Sequence, residues 1–292
     1  MRTLLDKRAV VTGAASGIGR AIARELASQG CHLYLIDIDE TGLHETARLV
    51  FPDRVEVITS CCDVSQATET DACLDALLKH WPVLDVLVNN AGICFYGSTA
   101  STPQAVWDQV LAINLHASIR ITKRLLPVLI ERPEAHVLNV ASMYGLFATN
   151  RAAAYHVSKF GLVGFSEALR AECGRSGVGV TALCPGFVDT GLFGAMKKRP
   201  ESGTRRPPPW CCTTSENVAR KAIRAIQRDR GIALVTLTAH FAYLAKRMFP
   251  SLLSGLYRIG RRRQSRARLD GGACVRANPA ETQFQTGLRD VA

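Results

Sequence analysis

The chain has 292 residues, 47% hydrophobic and 21% charged, a balance that excludes a disordered protein and allows one large or two small globular domains. The formal charge of +11 is uneven: Arg220–Arg268 holds 13 Lys and Arg against one acid, Asp229, and the remainder holds 23 basic and 24 acidic residues. The main body is therefore near neutral, and the basicity belongs to the C-terminal part. No apolar run reaches the roughly 18 residues of a membrane span, and "MRTLLDKRAVVTGAASG" enters a strand-like run without an apolar leader. The ten cysteines are scattered, with adjacent pairs at Cys61-Cys62 and Cys211-Cys212, and none stands in a C-x-x-C or a zinc-like Cys/His spacing. Reduced thiols in a cytoplasmic protein without a metal are expected.

Short apolar runs alternate with longer helical patterns. Strands are predicted at 8–12, 32–36, 54–59, 85–89, 136–141, 178–183 and 232–237, and helices near 17–29, 40–50, 66–80, 103–130, 152–174 and 215–228. The strands are apolar at nearly every position, as in a parallel sheet covered on both faces. Thr102-Pro103 reads as an N-cap followed by proline at the first helical position, and Thr213 with Glu216 as a capping box. Strand–helix alternation predicts an α/β, Rossmann-type, doubly wound sheet of seven mainly parallel strands in a single domain over 1–240. Residues 191–214 read as a substrate loop rich in Gly, Pro and charge. Residues 241–260 read as a basic helical extension and 261–292 as a largely disordered tail.

The first strand runs into Thr12-Gly13-Ala14-Ala15-Ser16-Gly17-Ile18-Gly19 and then a helix. Glycines in that context allow a tight turn and close approach of a pyrophosphate to backbone N–H groups. Asp37 ends the second strand, 18 residues past Gly19, where an acid can bind both hydroxyls of an adenosine ribose and repels a 2′-phosphate. No basic residue stands at Ser16 or Ile38, so NAD is favoured over NADP. Tyr155 precedes Lys159 by one helical turn, on the same face, where a cation eases formation of the phenolate. Taken alone, such a pair is more often a chance feature of a surface helix.

In order and spacing these motifs resemble the short-chain dehydrogenase/reductase family over about residues 6–240. The matching residues are T-G-x-x-x-G-I-G at 12–19, N-N-A-G at 89–92, Asn114, Ser142, Y-x-x-x-K at 155–159 and P-G-x-x-x-T at 185–190. The resemblance implies Tyr155 as general acid/base and Lys159 as the residue that lowers its pKa and holds the nicotinamide ribose. It implies Ser142 as hydrogen-bond partner of the substrate oxygen, and Asn114 as holder of a water that links Lys159 to solvent. It further implies Asp63 and Val64 at the adenine, Asn89, Ala91 and Gly92 along the cofactor cleft, and Pro185, Gly186, Val188 and Thr190 at the nicotinamide end. Family members often pair through the helix corresponding to that of Tyr155. Gly161 and Gly164 there would allow close approach, so a homodimer or homotetramer is expected.

The segments expected around the reacting carbon are Ile93–Tyr96, with Cys94 and Phe95; Met143–Phe147; Phe187; and Leu192-Phe193. They are mostly apolar and carry no fixed charge to grip a carboxylate or phosphate. A lipophilic secondary alcohol or ketone is therefore expected, such as a steroid, a retinoid or a long-chain compound. The rivals are an NADP-dependent carbonyl reductase and an NAD-binding scaffold without turnover. Beyond residue 240, Phe241, Leu244, Ala245, Met248, Phe249, Leu252, Leu253 and Leu256 recur at helical spacing beside Lys246, Arg247, Arg258 and Arg261–Arg263. This stripe suits packing against the body or another subunit, or contact of 241–268 with an anionic membrane. Nucleic acid is not expected, because no binding motif accompanies the arginines.

Overall fold

The computed structural model describes residues 1–50, 55–189 and 211–248. Strand β1 (Arg8–Thr12) leads through a tight turn to α1 (Gly17–Ser28), and β2 (His32–Asp37) leads to α2 (Glu40–Leu49). Next come β3 (Val57–Cys61), α3 (Ala67–His80), β4 (Val86–Asn89) and α4 (Gln104–Leu111). A six-residue π-helical turn, Ala112–Ala117, joins α4 to α5 (Ser118–Ile130). Beyond β5 (Ala135–Val140) lie α6 (Ala153–Glu172), β6 (Val178–Cys184), β7 (Phe187–Val188), β8 (Cys212–Thr213), α7 (Ser215–Gln227), β9 (Ile232–Leu234) and α8 (Leu237–Met248).

Seven of the strands form one sheet in the order β3-β2-β1-β4-β5-β6-β9, and every pairing in it is parallel. Chain order reverses between β1 and β4, so the carboxyl ends of these two strands diverge into a crevice, the place where open α/β sheets bind ligands. Alternation along β1 serves both faces. Ala9 and Val11 join a core with Ile22 and Leu26 of α1 and Val218, Ala222 and Ile226 of α7. Val10 faces the opposite core, with Leu74 and Leu77 of α3, Ile121, Leu125 and Leu129 of α5 and Leu169 of α6. Each fully buried Leu or Ile contributes about 1.5–3 kcal/mol of transfer free energy. At the amino edge, Asp85 is buried and accepts from the Arg8 N–H (3.0 Å), Lys7 Nζ (3.3 Å) and Arg132 Nε (2.9 Å), so its charge is met from three sides. Met1–His240 forms one compact unit by itself.

The expected doubly wound parallel sheet of seven strands is present, with local corrections. The expected helix over 103–130 is two α-helices around the π-turn. Pro103, not Thr102, is the N-cap of α4, and the Thr102 hydroxyl donates to the Ser98 carbonyl (2.7 Å). Thr214 caps α7 in place of Thr213, accepting from the Asn217 N–H (3.2 Å). The β7–β8 pair was not anticipated; its strands are two residues each, too short for a periodic signal. Gly161 serves internal packing, because a Cβ there would lie 2.9 Å from Leu115 Cδ2, whereas Gly164 is exposed with open space above it. Thr190, most of the 191–214 loop and residues 249–292, including the expected tail, lie outside the described residues.

Candidate active site

The β1–α1 turn is shaped by backbone requirements. Gly13 and Gly17 have φ of +66° and +53°, a region that L side chains rarely enter. Gly19 admits no side chain, since its Cβ would stand 1.9 Å from the Gly13 carbonyl oxygen. Ser16 is the N-cap of α1 but makes no side-chain cap, and the first turn carries no acid. The leading N–H groups of α1 therefore face outward with the helix dipole behind them, suited to an anion. Ile18 packs inward against the core. Thr12 ties this turn to β4: its hydroxyl donates to the Val88 carbonyl (3.4 Å) and accepts from the N–H groups of Asn90 (3.0 Å) and Ala91 (3.1 Å).

Asp37 accepts from the Ala15 N–H (2.8 Å) and the Asp39 N–H (3.1 Å). It thereby braces the turn while half-exposed at the crevice. Arg20, a cation near this turn, donates to the Ala15 carbonyl, to Thr46 Oγ1 (2.9 Å) and to Glu45 Oε2 (2.7 Å). Its charge is thus met by Glu45. Asp63 accepts from the Ser65 N–H (2.9 Å), and Val64 is buried beside it.

Asn89 departs from the expected placement along the cleft. It is buried between β4 and β5, where Nδ2 donates to Thr122 Oγ1 (2.9 Å) and Asn139 Oδ1 (2.8 Å), and its Oδ1 has no protein partner. The next residue, Asn90, reaches the glycine turn instead, donating to the carbonyls of Thr12 (3.0 Å) and Gly13 (2.9 Å). Strand alternation is the signal that separates them: adjacent residues point to opposite faces.

Asn114 sits in the π-turn and is fully buried. Such turns insert one residue into a helix and commonly mark functional positions. Its Oδ1 accepts from the Ile93 N–H (2.8 Å), and its Nδ2 donates to the Ile93 carbonyl (2.9 Å) and to Ser158 Oγ (3.0 Å). The side chain thus clamps the segment following β4 to α6. A Cβ on Gly92 would lie 3.2 Å from Asn114 Oδ1 and 3.4 Å from Lys159 Nζ. The bare glycine keeps a cradle open beside the amide and the ammonium. This cradle and the uncapped α1 terminus fit a dinucleotide.

Ser142 follows β5, where its Oγ accepts from the Tyr144 N–H (3.1 Å) and its hydroxyl lies near enough to the Tyr155 phenol to ease its ionisation. Tyr155 and Lys159 occupy the first two turns of α6, and the ammonium lies 5.7 Å from the phenol ring centroid. Lys159 Nζ donates to the Val140 carbonyl (2.8 Å). Burial lowers its pKa to about 8, opposed by the thiols of Cys94 and Cys184. Burial also raises the Tyr155 phenol above the ordinary tyrosine value, and the nearby Ser142 hydroxyl opposes this. Here burial acts against the expected lowering of the phenol: desolvation outweighs the help from Ser142 and moves the two groups apart in pKa, the phenol upward and the ammonium downward.

On the substrate side, Tyr144 is the hub. Its ring meets Tyr155 (6.3 Å), Phe147 (5.8 Å) and Phe187 (6.2 Å) edge-to-face. Cys94 stands near Lys159, with its thiol pushed by burial up to about 12. Phe95 packs with Val106, Val110 and Ala154, and Met143 is buried. Val188 is buried in β7, the Pro185 carbonyl accepts from the Met143 N–H (2.8 Å), and Gly186 lies against Thr236.

Sequence reasoning missed His156. It is buried next to Tyr155; Nδ1 bonds the Tyr144 carbonyl (2.9 Å), and Nε2 bonds the Thr149 N–H (3.0 Å) and hydroxyl (3.1 Å). The Thr149 N–H can only donate, so Nε2 accepts and Nδ1 carries the proton to the Tyr144 carbonyl. Burial holds the ring below the ordinary histidine pKa, and the carbonyl opposes this. A neutral imidazole thus pins both ends of the Tyr144–Thr149 segment to α6.

Comparison with known proteins adds to this geometry. A family model described as short chain dehydrogenase matches residues 7–201. Retinol dehydrogenase 10-B of Danio rerio is 31% identical over 264 residues, covering 82% of this chain and 77% of the relative. A variant of actinorhodin polyketide ketoreductase solved with NADPH superposes with a TM-score of 0.73 at 31% identity, covering 80% of this chain and 97% of the other. A short chain dehydrogenase/reductase from Burkholderia phymatum solved with NAD superposes with a TM-score of 0.71 at 28% identity, covering 96% of this chain and all of the other.

Proposed function

The chain belongs to the short-chain dehydrogenase family, and from that premise we propose that it is an NAD-dependent oxidoreductase interconverting a lipophilic secondary alcohol and its ketone. The observation that carries the chemistry is the convergence of Ser142, Tyr155 and Lys159 at the carboxyl ends of the central strands, with Asn114 behind them. The nicotinamide, when bound, accepts or supplies the hydride.

The proton is handled by the protein. A phenol held protonated by burial is suited to donate to a carbonyl oxygen as the alcohol forms. In the oxidising direction the Tyr155 phenolate, favoured by the Ser142 hydroxyl and the Lys159 ammonium, takes the hydroxyl proton and becomes the phenol. Each pK unit of such preference is about 1.4 kcal/mol. Ser142 also holds the substrate oxygen, and Lys159, anchored on Val140, holds a ribose hydroxyl. Asn114 acts by fixing Ile93 and Ser158 on either side of the lysine. The uncapped start of α1 takes the diphosphate. Asp37 takes the adenosine ribose, with two backbone bonds fixing its carboxylate in place. Its negative charge, with Arg20 already paired to Glu45, supports NAD over NADP.

The aromatic wall around Tyr144 supports an apolar substrate, as does the similarity to a retinol dehydrogenase. The exposed face of α6 around Val157 and Gly164 suits a second copy of the chain, which supports a homo-oligomer.

The test is reduction of NAD and, separately, NADP by the purified chain with a panel of lipophilic and small polar secondary alcohols, beside Tyr155→Phe. NAD reduction with a lipophilic alcohol, lost in the variant, is the expected result. A preference for NADP would overturn the Asp37 argument, and full activity of Tyr155→Phe would overturn the proton route.

A further inference from the structure

Helix α8 carries an apolar face with no counterpart elsewhere on the described surface. Nine large apolar side chains are exposed among the described residues, and four of them, Leu237, Phe241, Leu244 and Met248, stand on α8. Their spacing of four, three and four residues gathers them, at roughly 100° per residue, into an arc of about 60°. Their exposures are 88%, 76%, 59% and 62%, so the stripe is open along its length. By the same rotation, buried Ala239 lies on the opposite side of the helix, and exposed His240 and Arg247 border the stripe.

Charge adds the second observation. Along α8 the charged side chains are Lys246 and Arg247, with no Asp or Glu. A polyanion such as nucleic acid would satisfy the charge and leave the aliphatic stripe in water. A second copy would cover the stripe but bring the same positive charge against itself. An anionic bilayer satisfies both, taking the apolar side chains into the acyl boundary and the cations at the headgroups.

We propose that the exposed face of α8 docks on an anionic lipid surface, making the protein a peripheral membrane protein. The proposal is independent of the reaction assigned above, since lipid binding is read without turnover.

The experiment is co-sedimentation of the full chain with vesicles of phosphatidylcholine alone and of an equimolar mixture of phosphatidylcholine and phosphatidylglycerol. Three proteins are compared: wild type, Phe241→Glu/Leu244→Glu and Lys246→Glu/Arg247→Glu. The wild type is expected to pellet with the anionic vesicles, to remain soluble with phosphatidylcholine alone, and to be partly released by salt. Both variants are expected to lose about tenfold or more in partition while keeping the wild-type thermal midpoint, because all four side chains are exposed. Equal partition of wild type and both variants overturns the proposal, as does failure of the wild type to pellet with anionic vesicles. A fall in oligomeric mass of the Phe241→Glu/Leu244→Glu variant on size exclusion, without vesicle binding by the wild type, assigns the stripe to a second copy and also overturns it.

Discussion

Replacing His156 with alanine tests whether the Ser142–Thr149 segment is held in place by the helix it faces. The imidazole donates to the Tyr144 carbonyl and accepts from the Thr149 N–H, both at hydrogen-bond distance and inside the protein. Removing it strands two backbone groups, at about 1–3 kcal/mol each. Water entering the space relieves part of this, so a loss of about 2–4 kcal/mol is expected, seen as a lower thermal midpoint. The same segment carries Tyr144, whose N–H fixes Ser142 and whose ring meets Tyr155. Displacement by about 1 Å at such a position costs up to about 100-fold in rate. We therefore expect kcat/KM to fall about 10- to 100-fold, with NADH affinity unchanged because the α1 turn is untouched. His156→Gln can retain the bond to Thr149 and His156→Asn the bond to Tyr144, so both should fall between alanine and wild type. An alanine variant with wild-type kcat/KM and midpoint would refute the reasoning.

Two further predictions address the cofactor cleft and the body of the fold. Gly92→Ala puts a methyl group 3.2 Å from Asn114 Oδ1 and 3.4 Å from Lys159 Nζ; NADH affinity, followed by fluorescence, should weaken about tenfold with little change in thermal midpoint, and unchanged affinity would remove Gly92 from the cleft. Asp229 pairs with both terminal nitrogens of Arg170 (2.7 and 2.9 Å), which hold its carboxyl below the ordinary 3.8. A depressed folded pKa gives stability that is present above the ordinary value and lost as pH falls through the folded one. Asp229→Asn should therefore lower the midpoint at neutral pH by an amount worth about 1 kcal/mol or less, the pair being half-exposed, and the gap should close in strong acid. Asparagine suits the test because Asp229 has φ of +47°. A gap that stays constant with pH would assign the effect to something other than the carboxylate.

Strand periodicity and punctuation made the order of elements legible, because the two-sided burial of β1, β2, β4, β5 and β6 leaves almost no polar position. Glycine spacing likewise marked the α1 turn. What escaped depends on direction rather than composition. Asn89 and Asn90 are the same residue type in adjacent positions, and only the phase of β4 decides which one enters the buried network and which reaches Gly13. The π-turn at Asn114 lies within an apolar helical pattern and has no residue signature of its own. His156 is one imidazole between two motif residues, and its role comes from carbonyl and N–H groups that carry no sequence label. The raised pKa of Tyr155 reflects how much protein surrounds it, which spacing to Lys159 does not report.

The π-turn has a mechanical meaning of its own. An extra residue in a helix is worth about 100° of rotation, so α4 and α5 form one rod whose two halves are out of phase. Val106 and Val110 on the first half meet Phe95 and Ala154, while Ile121, Leu125 and Leu129 on the second half meet the core under the sheet. Deleting a single residue between Ala112 and Ala117 would let the rod become continuous α-helix, and one of the halves would then face the wrong neighbours. The chain keeps a locally poorer hydrogen-bond pattern there because it lets one helix serve two partners with Asn114 at the joint.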